Sequence, residues 1–90
     1  MRGMRRAVGL LMRHMDTEFG MEGIRSLGLF PWTRNDRTIT RLIRRDREAE
    51  NVLGARIEGT GRRTRYFVRG DRIIRYLERY GSLLMGARER

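Results

Sequence analysis

The chain has no cysteine and no lysine, and only one histidine, one proline and one tryptophan in 90 residues. Each scarcity excludes something. Without cysteine there is no disulfide framework and no thiolate metal site. His14 stands alone, so there is no imidazole pair for a metal, and no serine or acid falls in a recognisable catalytic motif. The acids nearest the basic segments (Asp36, Asp46, Glu48, Glu50, Glu58 and Asp71) lack metal-ligand spacing. No stretch approaches the roughly 20 apolar residues that span a bilayer. The run Ala7–Met12 leads straight into Arg13, His14 and Asp16, and is short for a secretory signal. The expectation is a cytoplasmic, non-enzymatic protein with no cofactor, no metal site and no membrane partner.

Arginine is what the chain has in excess. All 21 of its cations are Arg, set against 11 Asp and Glu, for a net charge of +10. With 39% apolar residues it can still build a core and is not a disordered polycation. Its length suits one small domain. Such charge points to a polyanionic partner. The lack of lysine is what codon bias in a G+C-rich genome would give, so placement carries more information than the total. Residues 31–47 hold six Arg and two Asp, and residues 62–75 hold six Arg and one Asp. Between them, residues 48–61 carry one Arg and three Glu.

Hydrophobic spacing assigns structures to these segments. Met4, Val8, Leu11, Met12 and Met15 follow one face of a helix over 2–16, with Arg2, Arg6 and Arg13 opposite. That face is expected to cover the core and to supply a dimerisation surface. A short helix over 22–27 pairs Ile24 with Leu27 and ends at Gly28, where positive φ is cheap. Leu29–Trp32 contains Pro31 and reads as a packed turn with Trp32 as a core anchor. Thr33-Arg-Asn-Asp36 matches a helix-capping pattern, with Asp36 as an alternative cap one turn later. From there to about Asp46, Ile39, Leu42 and Ile43 share one arc. Arg37, Arg41 and Arg44 share the opposite arc, flanked by Arg45, Thr38 and Thr40. A merely solvated face would carry acids in i, i+4 compensation.

Residues 47–54 form an acidic connector, with turns at Asn51 and Gly54 and with Val52 and Leu53 entering the core. Residues 55–69 read as a β-hairpin, with strands 55–58 and 65–69 around a tip with glycines at 59 and 61. Ile57, Tyr66 and Val68 are its expected inward set, and Arg62, Arg63 and Arg65 mark its tip and exit. The Gly-x-Gly does not follow a strand and open a helix, which excludes a nucleotide-phosphate loop. Asp71 is the expected N-cap of a closing helix that buries Ile73, Ile74, Leu77 and Tyr80 and turns Arg72, Arg75 and Arg79 outward. Ser82–Met85 is apolar enough to finish the core or to meet another subunit.

The fold class is therefore mainly α with a β-hairpin wing, an α+β winged helix-turn-helix. The expected divisions are an N-terminal packing or dimerisation helix (1–20), the DNA-binding domain (21–81) and a tail (82–90). A basic helix suits the major groove of duplex DNA, and a basic hairpin beside it reaches backbone or minor groove.

Arg37-Thr-Ile-Thr-Arg-Leu-Ile-Arg-Arg45 resembles the recognition helix of excisionase-like and MerR-like DNA-binding domains. Ala55 to Val68 and Asp71 to Leu77 are similar to the wing and closing helix of that family. The resemblance covers about residues 22–80. In this chain the turn Leu29–Asp36 and the connector 46–54 are longer than the family's. The resemblance implies a transcription regulator, or an excision, architectural or partition factor of a plasmid, phage or mobile element. It implies binding as a homodimer or side by side along DNA, in association with the nucleoid. Arg37, Thr38, Arg41 and Arg45 are the expected groove-facing residues, with Thr40 beside them. Arg34 and Arg44 are expected on phosphates, and Arg62, Arg63 and Arg65 on phosphate or minor groove. Two other classes compete. An RNA-binding or ribosome-associated basic protein would want exposed aromatics, for which Phe67 is the best candidate. A membrane-surface or protein-interaction module would rest on helix 2–16.

Overall fold

A computed structural model describes residues 2–81 and Leu83, with the side chain of Arg2 left aside. The elements are α1 (Arg2–Met12), β1 (Glu18–Gly20), α2 (Met21–Ser26), α3 (Asp36–Glu48), β2 (Arg56–Glu58), β3 (Arg65–Arg69) and α4 (Gly70–Tyr76). A π-helical turn, Leu77–Gly81, extends α4. The three strands form one antiparallel sheet in the order β1-β3-β2. This is a small α+β domain. Of the tail, only Leu83 is described, and it is exposed.

The sheet follows the two-residue period of a strand. Phe19 faces Val68 and Ile57 faces Tyr66 across the ladders, and this side packs on the helices. Val68 is fully buried, while Ile57 and Tyr66 are half-buried. The other side carries Glu18, Arg56, Glu58, Arg65, Phe67 and Arg69. Strand β1 was not foreseen. It makes β3 the central strand and ties residues 18–20 to the hairpin.

The N-terminal helix departs from expectation. It ends at Met12, and a turn follows in which the N–H of His14 donates to the Leu11 carbonyl at 2.9 Å. Ala7 and Leu11 are buried and Met4 and Val8 half-buried, but Met12 and Met15 are 63% and 46% exposed. The five-residue stripe is thus split: Met12 is the last residue of the helix and Met15 lies beyond it. Helix α1 packs on α4 and shares the core.

At α2, the chain closes on a Schellman motif. Gly28 has φ +63°, its N–H donates to Arg25 at 3.2 Å, and that of Leu29 donates to Ile24 at 3.0 Å. Ile24 and Leu29 are buried, but Leu27 is 43% exposed and does not pair with Ile24. Phe30 stacks on Trp32 at 5.3 Å, and Tyr76 of α4 lies 6.4 Å from the same indole. Trp32 is the anchor its isolation in the sequence suggested.

The caps differ from those expected. Asn35, not Thr33 or Asp36, caps α3: its Oδ1 accepts from the N–H of Thr38 at 3.1 Å. Thr33 Oγ1 instead accepts from the N–H of Asn35. Asp71 lies inside the first turn of α4 and accepts from Arg69 at 3.2 Å. The open N–H groups of Gly70 and Asp71 donate to the carbonyls of Thr17 (2.9 Å) and Met15 (3.0 Å). A Cβ on Gly70 would run into the carbonyl of His14. Arg72 does not face away: it is half-buried, lies against Gly54 and donates to the Val52 carbonyl at 3.5 Å.

Asp46 is the one buried charged residue among those described, 7% exposed on the packed side of α3. Its two carboxylate oxygens accept from the N–H groups of Val52 and Leu53, each at 2.9 Å. Asn51, at φ +51°, bends the connector so that these N–H groups point back at α3. Removing the carboxylate leaves buried donors unsatisfied. Asp46→Ala is expected to lower stability by about 3 kcal/mol, while the nearby exposed Glu48→Ala changes it by less than about 0.5 kcal/mol. Urea unfolding of the two variants checks this.

Tyr76 gives a pH dependence. Burial, then the nearby Asp46 carboxylate, pushes its hydroxyl up to about 12. A raised value means that the folded chain keeps a proton that the unfolded chain releases near 10. Its contribution is complete below about pH 10 and is lost as pH rises toward 12. Unfolding free energies measured across that range should fall more steeply for the wild type than for Tyr76→Phe.

Candidate nucleic-acid interface

Two groups of arginines stand out; Arg5, Arg6, Arg13, Arg47 and Arg75, also exposed and without an ion pair to a described residue, belong to neither. Those of the first hold the fold together. Arg25 of α2 pairs with Asp36 of α3 at 2.8 Å. Arg56 pairs with Glu18 at 2.6 Å and with Glu58, joining the outer strands over β3. Its guanidinium lies 4.5 Å above the Phe67 ring. The hydrogen bond from Arg56 holds the Glu18 carboxyl below its ordinary value, and the same partners push Arg56 upward. Arg69 pairs with Asp16 (2.9 Å) and Asp71 (3.2 Å), and Arg79 with Glu50. These pairs are exposed, and each is worth little singly. Their effect is to consume most of the acids at joints between elements.

The second group has no such partners. Arg34, Arg37, Arg41, Arg44, Arg45, Arg62, Arg63 and Arg65 are all exposed, and none makes an ion pair with another described residue. Four of them lie on α3. Because Ile39, Ile43 and Asp46 occupy the buried side of that helix, its 3.6-residue turn sends Arg37, Arg41, Arg44 and Arg45 outward. With Thr40 they line an open groove of about 530 Å³, with Asp36 and Glu48 at its ends. Asp36 is already engaged by Arg25.

Two expected members of this set lie elsewhere. Thr38 is half-buried, one turn before Leu42 and on the same stripe, with its N–H on Asn35; it does not line the groove. Arg34 lies against Gly28, in a separate small depression that Arg6 shares. Thr40, expected beside the groove-facing residues, and Arg44, expected on phosphate, line the groove with Arg37, Arg41 and Arg45. The helical spacing of Arg6 carries no sign of the loop beside it.

The hairpin tip presents the rest. Gly59 and Gly61 have φ +80° and +59°, and a Cβ at 59 would meet the carbonyl of Arg63. Between them and β3, a 3₁₀ turn (Gly61–Arg63) holds Arg62 and Arg63 outward, steadied by a 2.7 Å hydrogen bond from Thr64 Oγ1 to the Gly61 carbonyl. Arg65 stands on the outer face of β3, beside a depression of about 450 Å³ between that strand and the start of α2. The α3 set and the tip set line separate surfaces.

None of the seven aromatic rings is exposed. Phe67, the candidate for base stacking, is half-buried under Arg56. Among the described residues no group of His, Asp or Glu is placed to hold a metal, and no helix is long and apolar enough to cross a membrane.

The α3 face costs stability. Arg37 and Arg41, and Arg41 and Arg45, are like charges at i, i+4, and Arg41 meets Arg44 at i, i+3; each such pair opposes the helix by about 0.2–0.5 kcal/mol. Arg37 also sits in the first turn, where the helix dipole disfavours a cation. Arg41→Gln is expected to stabilise the protein by roughly 0.5–1 kcal/mol at low salt, with the gain shrinking at high salt. Urea unfolding at the two salt concentrations measures it, and a loss of stability would contradict it. Compared with protein-family models, curated proteins and solved structures, the chain matches none.

Proposed function

We propose that this protein binds double-stranded DNA as a winged helix-turn-helix, with α3 in the major groove and the hairpin tip on flanking backbone or minor groove. One observation carries the reading. Four arginines on one face of α3 and three at the hairpin tip are exposed with no acid partner among the described residues, the densest collections of unpaired cations on the molecule. Phosphates are the partners that would relieve such a surface.

Dimensions agree with this assignment. A 13-residue helix is about 20 Å long and fits a groove about 12 Å wide. The longest extent of the molecule, 36 Å, is close to one turn of B-DNA, about 34 Å. One copy would then cover one half-site, which favours a homodimer or side-by-side binding.

Arg41, central on the outer face, is the proposed guanine reader, with Arg37 and Arg44 a turn to either side. A bidentate guanine contact discriminates by about 1–3 kcal/mol. Arg45 and Thr40 border them. Arg62, Arg63 and Arg65 hold phosphate, which sets register without reading sequence. The lack of an exposed ring favours duplex over single-stranded RNA. A role in transcription, excision, partition or DNA architecture of a mobile element is the family-level extension of this proposal.

Anisotropy titrations with duplexes at several salt concentrations test it. Log affinity should fall linearly with log salt, by about 0.9 per phosphate neutralised. Arg41→Ala should relax sequence preference, whereas Arg63→Ala should weaken all duplexes alike and flatten the slope by about one unit. Salt-independent binding, or none, overturns the assignment.

A further inference from the structure

The first helix carries a cationic site that neither the α3 groove nor the hairpin includes. It begins at Gly3, where a side chain would come within 3.1 Å of Pro31 Cβ. Glycine there lets the first turn of α1 settle on the loop between α2 and α3. Arg6, nearly one turn further on, is exposed beside that loop.

From the other side comes Arg34. Gly28, which ends α2 at φ +63°, has no side chain, and the Arg34 guanidinium lies across it, with Nη2 3.4 Å from where a Cβ would be. The same glycine therefore stops the helix and makes room for the cation. Arg6 and Arg34 line one depression of about 100 Å³, floored by Gly3, Leu27, Gly28 and Pro31. Neither arginine makes an ion pair with a described residue. Two guanidiniums from separate elements that line one depression over an uncharged floor offer their donors to a single anion. Guanidinium forks match the oxygens of a phosphodiester.

The depression lies just ahead of α3, since Arg34 directly precedes the Asn35 cap. With α3 in a major groove, the strand bordering that groove passes the helix end.

We propose that Arg6 and Arg34 together grip a backbone phosphate of the duplex beside the N-terminal end of α3, so that α1 is part of the binding surface. The site rests on the duplex binding proposed above. It widens the footprint beyond the groove and the hairpin, and adds affinity without sequence preference.

The test is salt-dependent binding of the full chain to preferred and unrelated duplexes. Arg6→Ala and Arg34→Ala are each expected to weaken both duplexes by the same factor and to flatten the log–log slope by about one unit, and the pair by about two. Arg75→Ala, an exposed α4 arginine with no ion pair to a described residue, removes the same charge elsewhere and should leave the slope unchanged. Unchanged urea midpoints establish folding, and Arg6→Gln replaces Arg6→Ala if that variant unfolds. Wild-type slopes in Arg6→Ala and Arg34→Ala, with Arg63→Ala still flattening its own, overturn the site and leave duplex binding standing. So does an equal effect from Arg75→Ala, which would make it bulk charge. Inorganic phosphate that binds the wild type and not the double variant, with duplex slopes unaltered, also overturns it in favour of a free anion. Salt-independent binding by the wild type overturns duplex binding and the site together.

Discussion

Two backbone hydrogen bonds at Gly70 and Asp71 fix how the two halves of the chain meet. Helix α4 begins directly from β3 with no side-chain cap. Its first N–H groups are satisfied instead by the carbonyls of Thr17 and Met15, on the turn after α1. That approach requires glycine at 70, because a side chain there would occupy the place of the His14 carbonyl. Once residues 15–17 are held against 70–71, the next residues pair as Glu18 with Arg69 and Phe19 with Val68. Helix α1 is laid along α4 by the same contact. The seating of Gly3 on Pro31, and with it the position of Arg6, follows from that placement.

Asp46 does for α3 what Gly70 does for α4. The helix has no glycine stop, and its chain must reverse toward the hairpin. A buried carboxylate receiving two backbone N–H groups folds the connector back on the helix it has just left. This anchors the buried stripe of Ile39, Ile43 and Asp46 and leaves one rotation for α3. The outward arginine face is the remainder of that choice. Such a carboxylate is worth more than a surface ion pair, because losing it leaves one buried and one half-buried N–H without an acceptor.

What could be read from the sequence was what depends on neighbours. Helix α3 was legible because its apolar and cationic residues alternate at the helical period over thirteen positions. Gly28, Gly59 and Gly61 were legible because positive φ has few other tenants. The caps were missed where a tertiary partner decided between close candidates: Asp36 is drawn to Arg25, and Asp71 to Arg69, so Asn35 and the turn carbonyls do the capping. Strand β1 was not legible at all, since three residues show no alternation and their partner lies far along the chain. The overrun of α1 has the same origin. Met12 and Met15 continue the helical period, but the backbone turns away to meet α4. Within the groove, Thr38 and Thr40 were confused because both flank the arginines, and only the course of the buried stripe separates them.

The acids explain where the unpaired arginines collect. There are only 11 acids for 21 arginines, so roughly half of the cations must go without a partner wherever the acids are put. A chain arranged for stability alone would spread the surplus and place glutamates along α3 at i, i+4. Here only Glu48, at the end of α3, has that spacing, from Arg44, and most of the other acids lie at joints, between α2 and α3, across the sheet, and where the connector meets the π-helical turn. Most of the surplus lies on α3, on the hairpin tip and over Gly28, with Arg5, Arg13 and Arg75 apart from these. Local rules broken at these places are what the proposed polyanionic ligand would restore. A polyanion seated on α3, as proposed, would relieve repulsion that the free protein carries, and the helix would gain stability in the act of binding. Ligand affinity and folding stability are then linked through the same residues.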